Sequence, residues 1–157
     1  MHWADEAACT ATAQALAQRP ALREAFIELH GTLGAGKTTF VRHLLHALGV
    51  QGRIKSPTYA VLESYEVSDL SISHFDFYRF KDPQEFEDAG FRDVFAGPGL
   101  KLAEWPEQAA GLLPVADLRM ELIPLDGDER RVTFEALTSR GVGLLPDAGT
   151  PQGGQSS

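Results

Sequence analysis

The spacing of apolar residues after position 36 predicts an amphipathic helix. Apolar side chains recur there every three or four residues, so they share one face of a helix. The members of this face are Phe40, Val41, Leu44, Leu45 and Leu48. Gly49 then ends the pattern, as glycine commonly does after the last helical turn. The apolar run 25–29 (AFIEL), which lies shortly before the helix, predicts a β-strand.

Two pairs of segments alternate between apolar and polar residues and predict two hairpins. The first pair is 59–67 (YAVLESYEV) and 70–78 (LSISHFDFY), with only two residues between them. Such a short connection joins antiparallel strands. The second pair, 117–125 (DLRMELIPL) and 130–137 (RRVTFEAL), predicts a hairpin that closes the sheet.

Capping residues and one further apolar run predict the remaining elements. Residues 5–19 are rich in alanine and predict a helix that Pro20 ends. The stretch 82–90 (DPQEFEDAG) has an aspartate, a proline and a glycine at the positions that delimit a short helix. The run 99–105 (GLKLAEW) predicts a buried strand, followed by a proline-initiated turn. Strands and helices alternate along the chain, so we expect an α/β fold with a mixed parallel and antiparallel sheet.

The composition predicts one globular domain. The chain has 157 residues, of which 43% are hydrophobic. This length suffices for one core and is too short for two ordinary domains. Residues 145–157 contain few apolar side chains. We therefore predict a single domain over residues 1–144 and a disordered C-terminal tail over residues 145–157.

Charge and cysteine content narrow the class of function. The formal net charge of −8 disfavours a protein that binds nucleic acid through its own surface charge, because such binding requires clustered Lys and Arg. The single cysteine, Cys9, leaves no intrachain disulfide to form and is typical of a reducing compartment. Apolar runs are too short to span a membrane. These features predict a cytoplasmic protein.

A phosphate-binding loop follows the first predicted strand. Gly31, Gly36, Lys37 and Thr38 satisfy the pattern G-x-x-x-x-G-K-[ST]. The glycines let successive backbone N–H groups turn toward phosphate oxygens at a helix N-terminus. Lys37 then supplies a positive charge, and the hydroxyl of Thr38 can reach a bound Mg²⁺. A strand before the loop and an amphipathic helix after it match the context of this motif, so nucleotide binding is predicted.

Two acids are candidates for the metal of such a site. Nucleotide hydrolases of this class place a carboxylate at the end of a neighbouring apolar strand, and both Asp76 and Glu104 occupy such positions. Asp76 lies among aromatic residues, where a carboxylate needs a metal or a cation such as Arg79 as its partner. Either acid would otherwise be an ordinary surface acid at a strand end, and the residues alone leave the division of roles open.

The stretch 55–59 (KSPTY) carries two hydroxyls, Ser56 and Thr58, shortly after the phosphate-loop helix. Hydrolases that sense the terminal phosphate use a hydroxyl-bearing loop at this place, although on the residues alone an ordinary turn is the simpler interpretation. On the residues alone, His74 is also interpreted as a histidine within a strand whose hydrogen bonds are satisfied, and not as a catalytic base. Trp105 reads as a core residue.

Four motifs together are similar to those of the TsaE family (formerly YjeE) of small bacterial ATPases. They are GTLGAGKTTF, KSPTY, HFDFYR and LAEWPE, in this order and at this spacing. The resemblance covers roughly residues 5–140. It implies a P-loop NTPase-like three-layer sandwich and a role in making threonylcarbamoyladenosine in ANN-decoding tRNA. It further implies an ATPase, weak alone, that binds the TsaB–TsaD pair and hydrolyses ATP to ADP to reset TsaD between turnovers.

The resemblance also assigns roles to individual residues. It places the nucleotide phosphates on the loop residues Leu33, Gly34, Ala35, Gly36, Lys37, Thr38 and Thr39. It places Mg²⁺ on Thr38 and Glu104, and it makes Asp76 the second acid, which completes the metal site or orients the attacking water. Lys37, Asp76 and Glu104 are thus the expected catalytic residues. The expected switch and partner-binding residues are Ser56, Thr58, Tyr59 and Trp105.

Further implications concern the base and the partners. The N-terminal segment near Asp5 and Glu6 would approach the nucleotide base. Contact with tRNA would fall mainly to the partner proteins, which agrees with the negative charge of this chain. The family often has an acidic residue at the second loop position, where this chain has Thr32. We expect phosphate binding to persist, because the loop works through its backbone amides.

Three alternative functions follow from a phosphate loop. A small-molecule kinase needs an arginine-bearing lid, and the stretch 82–91 contains no arginine. A GTPase is disfavoured because the chain has no Asn-Lys-x-Asp motif to read the base. A non-catalytic, ATP-gated binding module remains compatible with the residues, because slow hydrolysis by the isolated chain would fit it as well.

Overall fold

The computed structural model describes residues 1–54 and 61–146, in which seven strands form one sheet of order β1-β7-β6-β2-β5-β4-β3. The strands are β1 His2–Trp3, β2 Phe26–His30, β3 Leu62–Val67, β4 Leu70–Asp76, β5 Leu100–Glu104, β6 Leu118–Pro124 and β7 Arg130–Ala136. The α-helices of the described residues are α1 Glu6–Ala17, α2 Lys37–Ala47, α3 Pro83–Asp88, α4 Phe91–Ala96 and α5 Ser139–Val142. Two 3₁₀ turns span Pro20–Glu24 and Pro106–Ala109.

The sheet is mixed, as predicted. Its four central strands, β4, β5, β2 and β6, run parallel, whereas β3, β7 and β1 pair antiparallel at the two sides. Both predicted hairpins are present within the described residues. In the first, Val67 pairs with Leu70, and the intervening Ser68 has a φ of 52°. A positive φ in such a two-residue turn matches the twist of the strands.

Two apolar cores cover the two faces of the sheet, so the fold has the three predicted layers. On one face α1 and α2 pack on each other and on side chains such as Ile27 and Leu102. On the other face lies a cluster of seven buried or half-buried phenylalanines, which are Phe75 and six others around it. Helices α3 and α4 lie on the same face. Alternate strand residues point to opposite faces, so Ile72 and His74 face α2 while Phe75 faces α4.

Aspartate side chains cap two of the helices. Asp5 accepts a hydrogen bond from the N–H of Ala8 and so caps α1, and Asp82 caps α3 within a capping box with Glu85. The sequence did not predict α4, which follows α3 directly after Gly90 (φ 73°). Six residues are too few for a helical period to be visible, and the helix is stabilised by its aromatic contacts to the sheet.

The N-terminal and C-terminal parts of the described chain add two contacts that the pattern did not show. The two-residue strand β1 extends the sheet edge along β7, with Trp3 opposite Arg130. Near the other end, Leu144 is buried and Leu145 packs partly against the same core. Most of the predicted tail, residues 147–157, lies outside the described residues, so the boundary of the domain stays a prediction.

Within residues 1–54 and 61–146, every helix is too short or too polar to cross a membrane.

Candidate functional site

The phosphate loop connects β2 to α2 and turns sharply at its glycines. Gly31 has a φ of 151°, and a Cβ there would lie 2.7 Å from the carbonyl oxygen of Leu122 on the neighbouring strand β6. Gly36 has a φ of 105° and is the N-cap of α2. These positions require glycine, the first because of a close approach and the second because of its left-handed conformation. Lys37 and Thr38 therefore begin a helix whose free N–H groups face the cleft in front of the loop.

Lys37 is almost completely buried in this arrangement, with 4% of its surface exposed. Its ammonium donates a hydrogen bond to the carbonyl of Gly31 and lies 3.6 Å from the ring centroid of Trp105. Burial lowers the pKa of Lys37 below its usual 10.5. Three nearby carboxylates oppose this pKa shift, those of Glu104, Glu107 and Asp76. Lys37 thus carries a desolvated charge whose partners in this state are a carbonyl dipole and an aromatic face.

The phosphate loop contacts the end of β5 directly. The hydroxyl of Thr38 donates a 2.8 Å hydrogen bond to Oε1 of Glu104, and Glu104 is only 2% exposed. The second oxygen of this carboxylate, Oε2, lies 2.6 Å from Nε2 of His74 on β4. The two residues that were predicted to hold Mg²⁺ are therefore in contact with each other.

Asp76 and Glu104 lie side by side at the carboxyl ends of two parallel strands. The register of β4 and β5 places Asp76 directly opposite Glu104. Asp76 is half-buried, and its Oδ1 accepts a 3.0 Å hydrogen bond from the backbone N–H of Tyr78. Ligands of open parallel sheets bind outside the carboxyl ends of the strands, and both acids stand at that edge.

A cleft of about 280 Å³ joins these groups. It is lined by Leu33, Gly34, Ala35, Gly36, Lys37, Thr38, Thr39, Asp76, Tyr78, Glu104 and Trp105. The predicted phosphate, metal and catalytic residues, together with Trp105, thus line one cavity. Tyr78 was missed by the sequence analysis; its ring lies 4.9 Å from that of Trp105, and its place inside the HFDFYR motif was the available signal.

Trp105 has an unusual backbone conformation at the edge of this cleft. Its φ of 55° lies in the left-handed region, which costs about 1–2 kcal/mol for a residue with a Cβ. The residue follows Glu104 immediately and starts the 3₁₀ turn Pro106–Ala109. Outliers of this kind cluster at ligand sites and switch regions. The other expected switch residues, Ser56, Thr58 and Tyr59, lie outside the described residues.

A second cleft of about 210 Å³ opens on the other side of the phosphate loop. It is lined by Trp3, Asp5, Glu6, Cys9, Ala35, Gly36, Thr39, Asp128 and Arg130. Arg130 donates a 2.7 Å hydrogen bond from Nε to the carbonyl of Ala35 and so supports the loop backbone. No local pattern in the sequence marks Arg130 as a site residue, because its contact joins residues 95 positions apart.

The oxygen donors of the first cleft fit Mg²⁺. The hydroxyl of Thr38 and the carboxylates of Glu104 and Asp76 are hard oxygen ligands, which Mg²⁺ prefers. In residues 1–54 and 61–146 no group of three His, Cys, Asp or Glu side chains is arranged to hold a metal.

Comparison with known proteins gives consistent matches. Residues 3–132 match the sequence profile of the family described as "Threonylcarbamoyl adenosine biosynthesis protein TsaE". The chain is 42% identical over 119 residues to a tRNA threonylcarbamoyladenosine biosynthesis protein TsaE of Haemophilus influenzae, covering 76% of this chain and 75% of the relative. It is 37% identical over 114 residues to the protein of the same name from Bacillus subtilis, covering 73% and 71%.

Among solved structures, the crystal structure of Bacillus subtilis YdiB superposes with a TM-score of 0.74 at 29% sequence identity, covering 92% of this chain and 88% of that one. This likeness in fold agrees with the predicted P-loop NTPase-like sandwich.

Proposed function

Because this chain belongs to the TsaE family, we propose that it is a Mg²⁺-dependent ATP hydrolase that supports the biosynthesis of threonylcarbamoyladenosine in tRNA. The observation that carries this proposal is the hydrogen bond from Thr38 to Glu104. It joins a phosphate loop to a buried strand-end carboxylate, which is the pairing that nucleotide hydrolases use to hold a metal beside the phosphates.

The reaction that fits this cleft is attack of water on the terminal phosphate of ATP, which breaks the bond to the bridging oxygen and gives ADP and inorganic phosphate. Backbone amides of residues 33–39 and the Lys37 ammonium would bind the phosphates, and Thr38 and Glu104 would hold Mg²⁺. The ion neutralises charge on the phosphate oxygens when it is bound. Asp76, opposite Glu104 in the register, completes the metal site or orients the attacking water.

The second cleft suits the nucleoside part of ATP. It shares Ala35, Gly36 and Thr39 with the phosphate cleft, so one ligand can occupy both. Asp5 and Glu6 bring the N-terminal end of α1 to this cleft, where the resemblance expects the base.

The proposed partners are the TsaB and TsaD proteins, with tRNA reached mainly through them, in the cytoplasm. Two features support a protein partner at the phosphate cleft. Leu33 and Tyr78 are 70% and 42% exposed and both line the phosphate cleft, so a bound protein would bury apolar surface at this cleft. The net charge of −8 disfavours a large direct contact with RNA.

A small-molecule kinase fits the described residues less well. A kinase lid would be formed by the segment that begins at Asp82. The first arginine of this segment is Arg92, on α4. Its guanidinium pairs with Glu87 on the surface and does not line the phosphate cleft. The lid chemistry that a kinase needs is thus not supplied by this part of the chain.

Steady-state ATP turnover tests the proposal, first with the chain alone and then with purified TsaB and TsaD. We expect slow turnover alone and a marked rise with the pair, and we expect this rise to be lost when Asp76→Asn replaces the native chain. If ATP binds but the pair raises no turnover, the chain is a nucleotide-gated binding module. If ATP is consumed only when a small phosphate acceptor is supplied, the chain is a small-molecule kinase.

A further inference from the structure

His74 is the one fully buried histidine among the described residues, and it faces the phosphate-loop side of the sheet. Its Nε2 lies 2.6 Å from Glu104 Oε2. An ionised carboxylate only accepts hydrogen bonds, so Nε2 carries the hydrogen and donates it to Glu104. His74 is not among the residues that line the cleft. It therefore reaches the site only through Glu104.

The second ring nitrogen of His74, Nδ1, indicates that the hydrogen bond to Glu104 is the reason for a buried histidine at this position. Nδ1 is buried and has no hydrogen-bond partner in the part of the chain that the structure describes. An unsatisfied buried polar atom destabilises the folded state, and an apolar side chain of similar size would avoid that cost. The hydrogen bond from Nε2 to Glu104 is the compensating interaction.

The carboxylate of Glu104 is held from both sides. Thr38 donates to Oε1 and His74 to Oε2, so the carboxyl plane cannot rotate without breaking a hydrogen bond. Because His74 is fully buried, loss of its donor would leave Oε2 without a partner on the side away from the cleft. Oε1 is the oxygen on the loop side, where Thr38 and the phosphate cleft lie.

We infer that His74 is a positioning residue, which holds Oε2 of Glu104 from behind so that Oε1 is presented beside the Thr38 hydroxyl for Mg²⁺. This inference rests on the proposed function, in which Glu104 and Thr38 bind the metal. Groups that orient a metal ligand from behind commonly change metal affinity by about 10- to 100-fold, although they touch neither metal nor substrate.

The test measures binding of a fluorescent ADP analogue to the full chain, with EDTA and then over a series of Mg²⁺ concentrations. Three substitutions of His74 are compared. His74→Leu removes the donor and keeps much of the volume, His74→Gln keeps an N–H donor at a similar reach, and His74→Asn carries the same amide on a stem one methylene shorter. Ser73→Ala, one residue earlier and facing the opposite side of β4, is the matched control.

For His74→Leu we expect the Mg²⁺ concentration of half-maximal effect to rise about tenfold or more, while affinity in EDTA stays within about twofold of the native value. His74→Gln restores most of the Mg²⁺ response, His74→Asn does not, and Ser73→Ala behaves as the native chain. Should His74→Leu fail to fold, the contrast between the Gln and Asn variants decides the question.

Two results overturn the inference and leave the proposed function intact. One is a native Mg²⁺ response in His74→Leu or His74→Asn. The other is a loss of affinity for the ADP analogue that is equal with and without Mg²⁺ in all three variants. That result would mean that His74 is needed only for packing. If the native chain binds the analogue with no response to Mg²⁺ at all, the metal assignment itself fails, and the inference fails with it.

Discussion

Thr38 and Glu104 are 66 residues apart in the chain, and the Thr38 hydroxyl donates a 2.8 Å hydrogen bond to the Glu104 carboxylate. Thr38 is in the first turn of α2, after the phosphate loop, and Glu104 ends β5, the strand beside β2. Their contact shows that the fold of the chain holds the two oxygen ligands proposed for Mg²⁺ next to each other. Preorganised ligands of this kind lower the cost of ordering the site on binding.

Replacing Glu104 should separate metal-dependent from metal-independent steps. We expect Glu104→Ala to lower Mg²⁺-dependent ATP turnover by roughly 100-fold, the order expected when one group that stabilises transition-state charge is removed. Nucleotide affinity in EDTA should change little, because the loop amides remain. Turnover assays and titrations measure the two effects, with Glu135→Ala, which removes an exposed glutamate on β7, as the control. Equal losses in both assays would indicate a folding defect.

Removing the ammonium of Lys37 should abolish productive ATP binding. A charge-assisted hydrogen bond contributes about 1.5–3 kcal/mol, so Lys37→Ala should weaken affinity by at least roughly 10- to 150-fold. Isothermal titration measures this affinity, and Lys81→Ala, which removes an exposed lysine, should leave it unchanged. Near-native affinity of the Lys37 variant would refute the assignment of the phosphate loop.

Trp105 should report the occupancy of the phosphate cleft by its fluorescence. The Lys37 ammonium lies over its ring, and bound phosphates would compete for that charge. We expect tripolyphosphate, which lacks a base, to change the emission of the native chain and to leave that of Trp105→Phe unchanged. In that variant Trp3, the other of the two tryptophans, is the remaining emitter. An unchanged native spectrum at saturating tripolyphosphate would contradict the competition.

Cys9 should react slowly with thiol reagents. Burial, assisted by Glu6 and opposed by Arg130, raises its pKa from 9.0 to about 11. The thiolate is the reactive form, so a shift of this size lowers its fraction at pH 7.5 by roughly 100-fold. Iodoacetamide labelling followed by mass spectrometry should therefore be slow in the native chain and fast in guanidinium chloride. The labelling rate should rise about tenfold per pH unit up to the raised pKa.

A labelling rate for native Cys9 equal to that of the unfolded chain would mean that the start of α1 opens readily. Cys9→Ser provides the unlabelled baseline, because Cys9 is the single cysteine of the chain.

Truncations should locate the end of the domain. We expect a chain that ends at Pro146 to keep native ATP turnover and melting temperature. A chain that ends at Gly143 also lacks Leu144, which is buried. Loss of a buried leucine costs about 2–5 kcal/mol, which corresponds to a decrease in Tm of roughly 5–15 °C. A large drop in turnover for the longer chain would show that residues 147–157 take part in function.

Much of the fold followed from local pattern. The two-residue connection between β3 and β4 dictates antiparallel pairing, and the apolar face 40–48 dictates a helix after the loop. These inferences succeeded because backbone geometry alone decides them within a few residues. By contrast, α4 is six residues long and owes its stability to contacts of Phe91 and Phe95 with Phe75, which no local pattern can show.

The sequence by itself determined the phosphate loop, the two acids at strand ends and the family to which the chain belongs. Each of these follows from motifs of contiguous residues. Only the tertiary structure decided how they meet. Inserting β5 between β2 and β4 brings Glu104 to Thr38, and the parallel register sets Asp76 opposite Glu104. The roles of His74 and Arg130 depend on the same pairing, because strand order is set by burial of whole faces of the sheet, a property that no single segment possesses.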